Sequence, residues 1–349
     1  MPNGRLSLPP LEERPLCSII IPCLNEEAYI EAVLRAAMDQ RYPYDRLEIL
    51  VADGGSTDDT RAIVLRLSRE DPRITLVDNP GRFPSAGMNE GIRRARGAVI
   101  LRMDAHAEYA LDFVDAAVAA LRRTGATTAG GAARTRARSP FQRALCAALS
   151  SPLGVGGSAY RDPSREGYVE SVWSGAFRRE VFERVGMFDA EARANEDAEL
   201  NQRILEAGGT VYLSREMVAF YYPRASLSAL FAQYLAYGKG RARTLLRRRR
   251  LLSPRPLVPF VVLTAFALLA VLSAVLAPAR LLLAALSLLY AGAVVIEALR
   301  IARRTDMAHF SKLLLIFPVM HCAHGAGVWA GLRRWLGADL RDPERLPAR

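Results

Sequence analysis

The sequence is poor in the residues that staple or metallate a fold. It has 4 cysteines and 4 histidines in 349 residues. Cys17, Cys23, Cys146 and Cys322 are scattered, with no pair at metal-ligand spacing. That excludes a disulfide framework and a Cys/His zinc site, and leaves the thiols as reduced core residues. The N-terminus, Met1 to Pro15, lacks the apolar core of a secretory signal. The large N-terminal part is therefore expected on the cytoplasmic side. Internal repeats and long low-complexity tracts are also missing. Two local absences say more. Lys239 to Arg255 contains no acid although it carries Lys239, Arg241, Arg243, Arg247, Arg248, Arg249, Arg250 and Arg255. Directly after it, Pro256 to Ala279 contains no charge at all.

These two absences decide the partner. The formal net charge is +11 and the pI near 9.9, which suits phosphates in either nucleic acid or lipid headgroups. Nucleic-acid binding calls for basic residues interleaved with aromatics on a soluble face. Here the cationic run abuts an apolar segment instead, so no nucleic-acid partner is expected. Leu281 to Ile296 and Leu313 to Leu332 are also uncharged, the last broken by His321 and His324. A crossing takes ~20 apolar residues. The expectation is a multi-pass protein of the inner (cell) membrane, with two to three transmembrane helices in 256–335. Positive charge before the first span holds that end inside. The regions are a tail (1–14), a soluble domain (15–222), amphipathic basic interface helices (223–255), the membrane domain (256–335) and a C-terminal tail (336–349).

The soluble part alternates strand and helix signals. Cys17 to Pro22, Leu47 to Ala52, Ile74 to Val77 and Val99 to Met103 are short apolar runs and read as buried strands. Between them, Ile30, Val33, Leu34, Ala37 and Met38 recur at helical spacing after a capping Asn25. Further helices run from caps at Thr57 and Asp58 to Leu67, and over Ser85 to Ala95. This predicts an α/β fold with a mainly parallel sheet and ligands beyond the carboxyl ends of its strands. Farther on, Gly130-Gly131, Gly154 to Gly157 and Arg161 to Gly167 read as loops. Val181 to Val185 and Glu196 to Ala207 read as helices, and Val211 to Leu213 as a last strand. Ser226 to Leu246 reads as a helix on the membrane surface.

Three acids stand where such a sheet presents its ligands. Asp104 and His106 follow the fourth strand, and positions i and i+2 of extended backbone project the same way. Both can face one divalent ion that bridges a diphosphate. The same residues also suit a capping Asp beside a surface His. Asp53, before Gly54-Gly55, fits a turn former or an acceptor for a nucleobase or ribose. Asp197, in Asn195-Glu196-Asp197, fits the first turn of a helix or a base that takes a proton from a hydroxyl.

The stretches I-P-C-L-N-E (21–26), A-D-G-G-S-T-D-D-T (52–60), S-A-G-M-N-E-G (85–91), M-D-A-H-A (103–107), S-G-A-F-R-R-E-V-F-E-R-V-G-M-F-D (174–189) and N-E-D-A-E-L (195–200) stand in one order. Together they resemble the family 2 inverting glycosyltransferases, with their nucleotide-diphospho-sugar (GT-A) fold. D-A-H-A, Y-G-K-G-R-A-R-T-L-L (237–246) and the C-terminal spans resemble most the bacterial exopolysaccharide enzymes of the succinoglycan type. The resemblance implies that Pro22, Leu24, Glu26 and Asp53 line a nucleotide pocket. It implies that Asp104 and His106 take the place of the Asp-x-Asp metal motif, and that Asp197 is the general base. Gly54 and His106 each replace an acid of the usual pattern. An imidazole ligand favours Mn²⁺ over Mg²⁺ as the cofactor. The donor is expected to be a UDP-sugar, such as UDP-glucose, with Arg82 beside its departing diphosphate. The acceptor is a lipid-linked saccharide on polyprenyl diphosphate. A polyprenyl-phosphate glycosyltransferase and an inactive membrane adaptor are the alternatives. Trp173 lines an acceptor groove or packs in the core. Glu196, Gln233 and Arg241 are acceptor-side candidates. Gln233 and Arg241 are spaced differently from the Gln and Arg of polymer synthases and no Trp follows them, which speaks against processive synthesis.

Overall fold

A computed structural model describes residues 6, 8–248 and 253–339, the last five by backbone alone. Arg249 and Arg250 of the basic run, and residues 1–5, 7 and 340–349 of the two tails, lie outside the described residues. The chain divides into two compact units. One is Met1–Thr135 with Ala159–Tyr222, and the other is Arg136–Ser158 with Pro223–Arg349.

The first unit contains β1 (Cys17–Cys23), α1 (Ile30–Met38), β2 (Leu47–Asp53), α2 (Thr60–Glu70), β3 (Ile74–Asp78), α3 (Pro84–Arg94), β4 (Val99–Arg102), β5 (Ala107–Tyr109), α4 (Phe113–Thr124), β6 (Thr128–Gly131) and β7 (Arg134–Thr135). Helices α5 (Pro140–Leu149) and α6 (Pro152–Val155) belong to the other unit. The chain then returns with β8 (Gly167–Tyr168), β9 (Trp173–Arg178), α7 (Glu180–Val185), α8 (Glu196–Glu206), β10 (Val211–Ser214) and β11 (Ala219–Tyr221). The main sheet has eight strands in the order β3-β2-β1-β4-β9-β6-β10-β8, and a three-stranded sheet runs β5-β11-β7.

The four N-terminal strands are where the apolar runs place them. Every residue of β1, β2 and β4 is buried, as in strands covered by helices on both faces. They pair in parallel, so Cys23, Asp53 and Asp78 stand side by side at one edge, while Arg102, the end of β4, lies level with Ile20. The second half departs from the expected pattern. β9 runs antiparallel to β4 and β6, and β8 antiparallel to β10. Gly130-Gly131, read as a loop, lie in β6, where the Val172 side chain and the Met217 carbonyl leave no room for a Cβ. Part of the expected loop at Gly154 forms α6. Asn25 does not cap α1, which starts after Tyr29. It adopts φ +56° and its side-chain oxygen accepts from the Thr57 amide at 2.9 Å, tying the β1 end to the β2 turn.

The second unit adds α9 (Leu227–Arg248), α10 (Val258–Leu272), α11 (Ala277–Arg304) and α12 (Phe310–Asp339). Three helical stretches, Arg255–Leu272, Ala277–Arg304 and Met307–Arg334, are long and apolar enough to cross a membrane. The stretch expected to be helical, Ser226 to Leu246, forms α9, and it packs lengthwise on α12. Gly238 faces the backbone of His324, Gly327 and Val328, while Gly327 faces that of Leu235, so a Cβ fits at neither position. His321 donates or accepts at both ring nitrogens, with Tyr290 Oη and the Leu153 carbonyl each 2.8 Å away. That satisfies it as a helix–helix contact. Trp329 donates to Thr264 at 3.0 Å on α10.

Candidate active site

Two arginine-centred clusters stand at the carboxyl ends of the strands. The first surrounds Asp53, fully buried at the end of β2. Its carboxylate accepts from Arg61 Nη1 at 2.7 Å, Ser56 Oγ at 2.5 Å and the amides of Gly55 and Ser56. A carboxylate has about four acceptor positions, so those of Asp53 are largely committed to its own turn. Burial works against its charge, but Ser56 and Arg61 outweigh it and hold the carboxyl below its usual range. Arg61 also binds the exposed Asp78 at 2.9 Å. Asp53, Gly54, Gly55, Asp78, Asn79, Pro80 and Arg82 line a cavity of about 270 Å³. Arg82 adopts φ +64° there. Its backbone lies 3.1–3.2 Å from where a Cβ on Gly54 would stand. A side chain at position 54 would therefore need the Arg82 backbone to shift by a few tenths of an ångström.

The second cluster surrounds Arg102, the last residue of β4. Its Nε donates to Asp104 Oδ1 at 2.7 Å. Its Nη1 donates to Glu196 Oε1 and to Asp197 Oδ1, each at 2.8 Å. Two motifs far apart in sequence thus meet on one guanidinium. Burial works against the Asp104 charge, but Arg102 and His106 outweigh it and keep the carboxyl low. At Asp197 burial wins. Arg102 pulls the carboxyl down while Glu196 and Asp104 push it up, and the balance stands at about 7.

Neighbouring motifs hold these groups in place. The Asp104 amide donates to Tyr109 Oη at 2.7 Å, that hydroxyl donates to Ser174 Oγ at 3.0 Å, and Ser174 donates to the Arg102 carbonyl at 2.8 Å. Ser174, in the S-G-A-F stretch, adopts φ +51°. Trp173 packs against Tyr221, and its indole helps keep the Asp104 carboxyl low. The S-A-G-M-N stretch laces the loop before α8. Ser85 donates to the Ala192 carbonyl at 2.8 Å, and Asn89 exchanges two hydrogen bonds with the Phe188 backbone. Asn195, at φ +61°, turns the chain into α8 and sets Glu196 and Asp197 in its first turn.

His106 Nδ1 lies 3.0 Å from Glu26 Oε1, and the Glu26 amide donates to Thr60 Oγ1 at 2.8 Å. A carboxylate behind one ring nitrogen orients the other toward a metal. The chain from Asp104 to Ala107 is a turn, closed by the Ala107 amide on the Asp104 carbonyl at 3.1 Å, so extended backbone does not align the two side chains as expected. The ionised carboxylate and the imidazole are each donors that a divalent cation accepts. Among the described residues no three His, Cys, Asp or Glu side chains gather to hold a metal by themselves.

Pro22 and Leu24 flank the end of β1, Asp53 ends β2, and Glu26 and Arg82 stand in the adjoining loops. Gln233 and Arg241 lie on α9 in the second unit, where Gln233 donates to Tyr237 at 3.0 Å. The sequence reading assigned no role to Arg102, Arg61, Tyr109 or Ser174. For Arg102 a signal existed: an arginine inside an otherwise apolar strand run, with a carboxylate two residues on. Arg61 and Tyr109 carry none.

Comparison with known proteins gives concordant results. Residues 18–186 match the family model described as glycosyl transferase family 2. The succinoglycan biosynthesis protein ExoA of Rhizobium meliloti is 39% identical over 246 residues, covering 70% of this chain and 74% of that protein. A Methanococcus voltae protein, dolichyl N-acetyl-α-D-glucosaminyl phosphate 3-β-D-2,3-diacetamido-2,3-dideoxy-β-D-glucuronosyltransferase, is 27% identical over 90% of this chain and 96% of its own length. Among solved structures, the mannosyltransferase PcManGT of Pyrobaculum calidifontis, in complex with GDP-Man and Mn²⁺, superimposes with a TM-score of 0.64. It is 22% identical, covering 94% of this chain and 91% of that one, and shows the shared fold.

Proposed function

Because this chain belongs to glycosyl transferase family 2 and is a glycosyltransferase, we propose that it moves one hexose from a nucleotide-diphosphate donor to a hydroxyl of a lipid-linked saccharide, with inversion. The observation that carries this reading is the meeting of Asp104 and Asp197 on Arg102. One acid faces the departing diphosphate and the other faces the acceptor.

Asp197 takes the proton of the acceptor hydroxyl. The oxygen attacks the anomeric carbon from the face opposite the diphosphate. A new glycosidic bond forms as the bond to the phosphate oxygen breaks, and the nucleoside diphosphate leaves with that electron pair. A single carboxylate base suffices because the leaving group is already good, unlike the acid–base pairs of hydrolases. Asp104 and His106 would hold a divalent cation, Mn²⁺ or Mg²⁺, which when bound neutralises charge on the diphosphate. Glu26 orients His106. The cavity bounded by Asp53, Asp78, Asn79 and Arg82 receives the nucleoside, expected to be uridine, with Arg82 at the phosphates.

The acceptor reading is supported by three apolar helices in the same chain. The names of two relatives point the same way, one to succinoglycan biosynthesis and one to transfer onto a dolichyl-phosphate sugar. A panel of UDP- and GDP-sugars assayed with membrane extract, followed by linkage analysis of the product lipid, tests it. A sugar added to a lipid-linked saccharide is the expected product. A monosaccharide-phosphate lipid assigns polyprenyl phosphate as the acceptor instead. Release of no nucleotide with Mn²⁺ or Mg²⁺ refutes the reading.

A further inference from the structure

Arg102 stands in a strand whose other three residues, Val99, Ile100 and Leu101, are buried and apolar. Its side chain is 9% exposed. An arginine buried so deeply is costly unless its hydrogen bonds repay it. The sheet does not need the side chain, because the β4 backbone pairs with β1 and β9 through main-chain groups. The guanidinium is spent on carboxylates from two distant elements. Nε meets Asp104 just beyond the strand, and Nη1 meets Glu196 and Asp197 at the start of α8. Among the described residues, Arg102 is the only hydrogen-bond partner of the Asp197 carboxylate. It engages one oxygen of that carboxylate and leaves the other for an incoming hydroxyl.

We propose that Arg102 is the positioning residue of the transfer step, a rigid fork that sets the diphosphate-side carboxylate and the proton-accepting carboxylate at one separation. The proposal rests on the reading of Asp197 as the base. A simple counter-charge does not require this geometry. Two different nitrogens of one planar group, each on a carboxylate from a different element, specify direction as well as charge. Lysine carries the same charge at a single point and cannot reproduce the fork. Misplacing a catalytic group by about an ångström costs on the order of 10²-fold in rate.

The test uses the full chain in detergent or membranes, with the donor and acceptor that support turnover. Arg102→Lys and Arg102→Met are compared with wild type for kcat, donor KM, thermal midpoint, and calorimetric affinity for UDP and GDP. For R102K the expected result is a kcat lower by about 30-fold or more. The midpoint stays near wild type and nucleoside diphosphate affinity within about 3-fold. R102M is expected to lose at least as much turnover; if it does not fold, R102K alone decides. The proposal is overturned if folded R102K turns over within about 3-fold of wild type. It is equally overturned if kcat, nucleotide affinity and folded fraction fall together, since that marks a structural arginine. Asp197→Asn separates the two claims. An active D197N removes the base assignment itself, whereas an inactive D197N beside a fully active R102K removes only the positioning role.

Discussion

The two arginine clusters at the strand ends use the same groups for different ends. Arg61 is 37% exposed and shares its charge between a buried Asp53 and a largely exposed Asp78. Arg102 is 9% exposed, and its three acids are 11–24% exposed. Water reaches Arg61 and Asp78 and weakens that pair, while the buried Asp53 accepts from Arg61, Ser56 and Gly55 and holds the Gly54-Gly55 turn at the rim of a cavity. Water is largely excluded from the second, where each charge is felt strongly by its neighbours. The same pairing therefore shapes a loop in one place and tunes a carboxyl in the other. What differs most is the arginine: Arg61 is open to solvent and Arg102 is not.

Substitutions can break this contrast. The largest effect belongs to Asp197. D197N removes the proton acceptor and is expected to cut kcat by about 10²- to 10⁴-fold, with UDP or GDP binding nearly unchanged by calorimetry. Removing the divalent cation comes next. A chelator should suppress turnover and added Mn²⁺ restore it. H106A should raise the Mn²⁺ concentration for half-maximal rate by at least about 10-fold, read from a metal titration. The pH profile follows. A base works only when deprotonated, and Asp197 stands at about 7. Turnover should therefore rise with pH through about 7 and level off above it, and D197N should abolish that limb. The smallest effect belongs to the rim. R61M should raise donor KM by no more than about 5-fold with kcat unchanged, and added salt should shrink the difference. A loss of kcat in R61M as large as that in D197N would erase the distinction between the clusters.

The contrast also marks where sequence reading stopped. The apolar runs at Ile19–Ile21, Ile49–Val51 and Val99–Leu101 could belong only to buried strands, and their terminal acids were visible as site candidates. The antiparallel β9 was not visible, because W-S-G-A-F-R has neither alternation nor a long apolar run and is buried by neighbours from elsewhere in the chain. Asn25 looked like a helix cap because that preference is local, whereas its partner, Thr57, belongs to the next strand's turn. Segment 136–158 carries no marker that it groups with the C-terminal helices rather than with the sheet.

By itself the sequence determined the alternation of strands and helices, the apolar helices after a basic run, and the identity of the acids at 53, 104 and 197. Each of these follows from local periodicity, charge and order along the chain. Only the tertiary structure decided which acid is committed to its own turn, which two share a guanidinium, and which is pushed toward neutral pH. Those properties depend on burial and on distances between residues remote in sequence, and both arise only when the chain closes on itself.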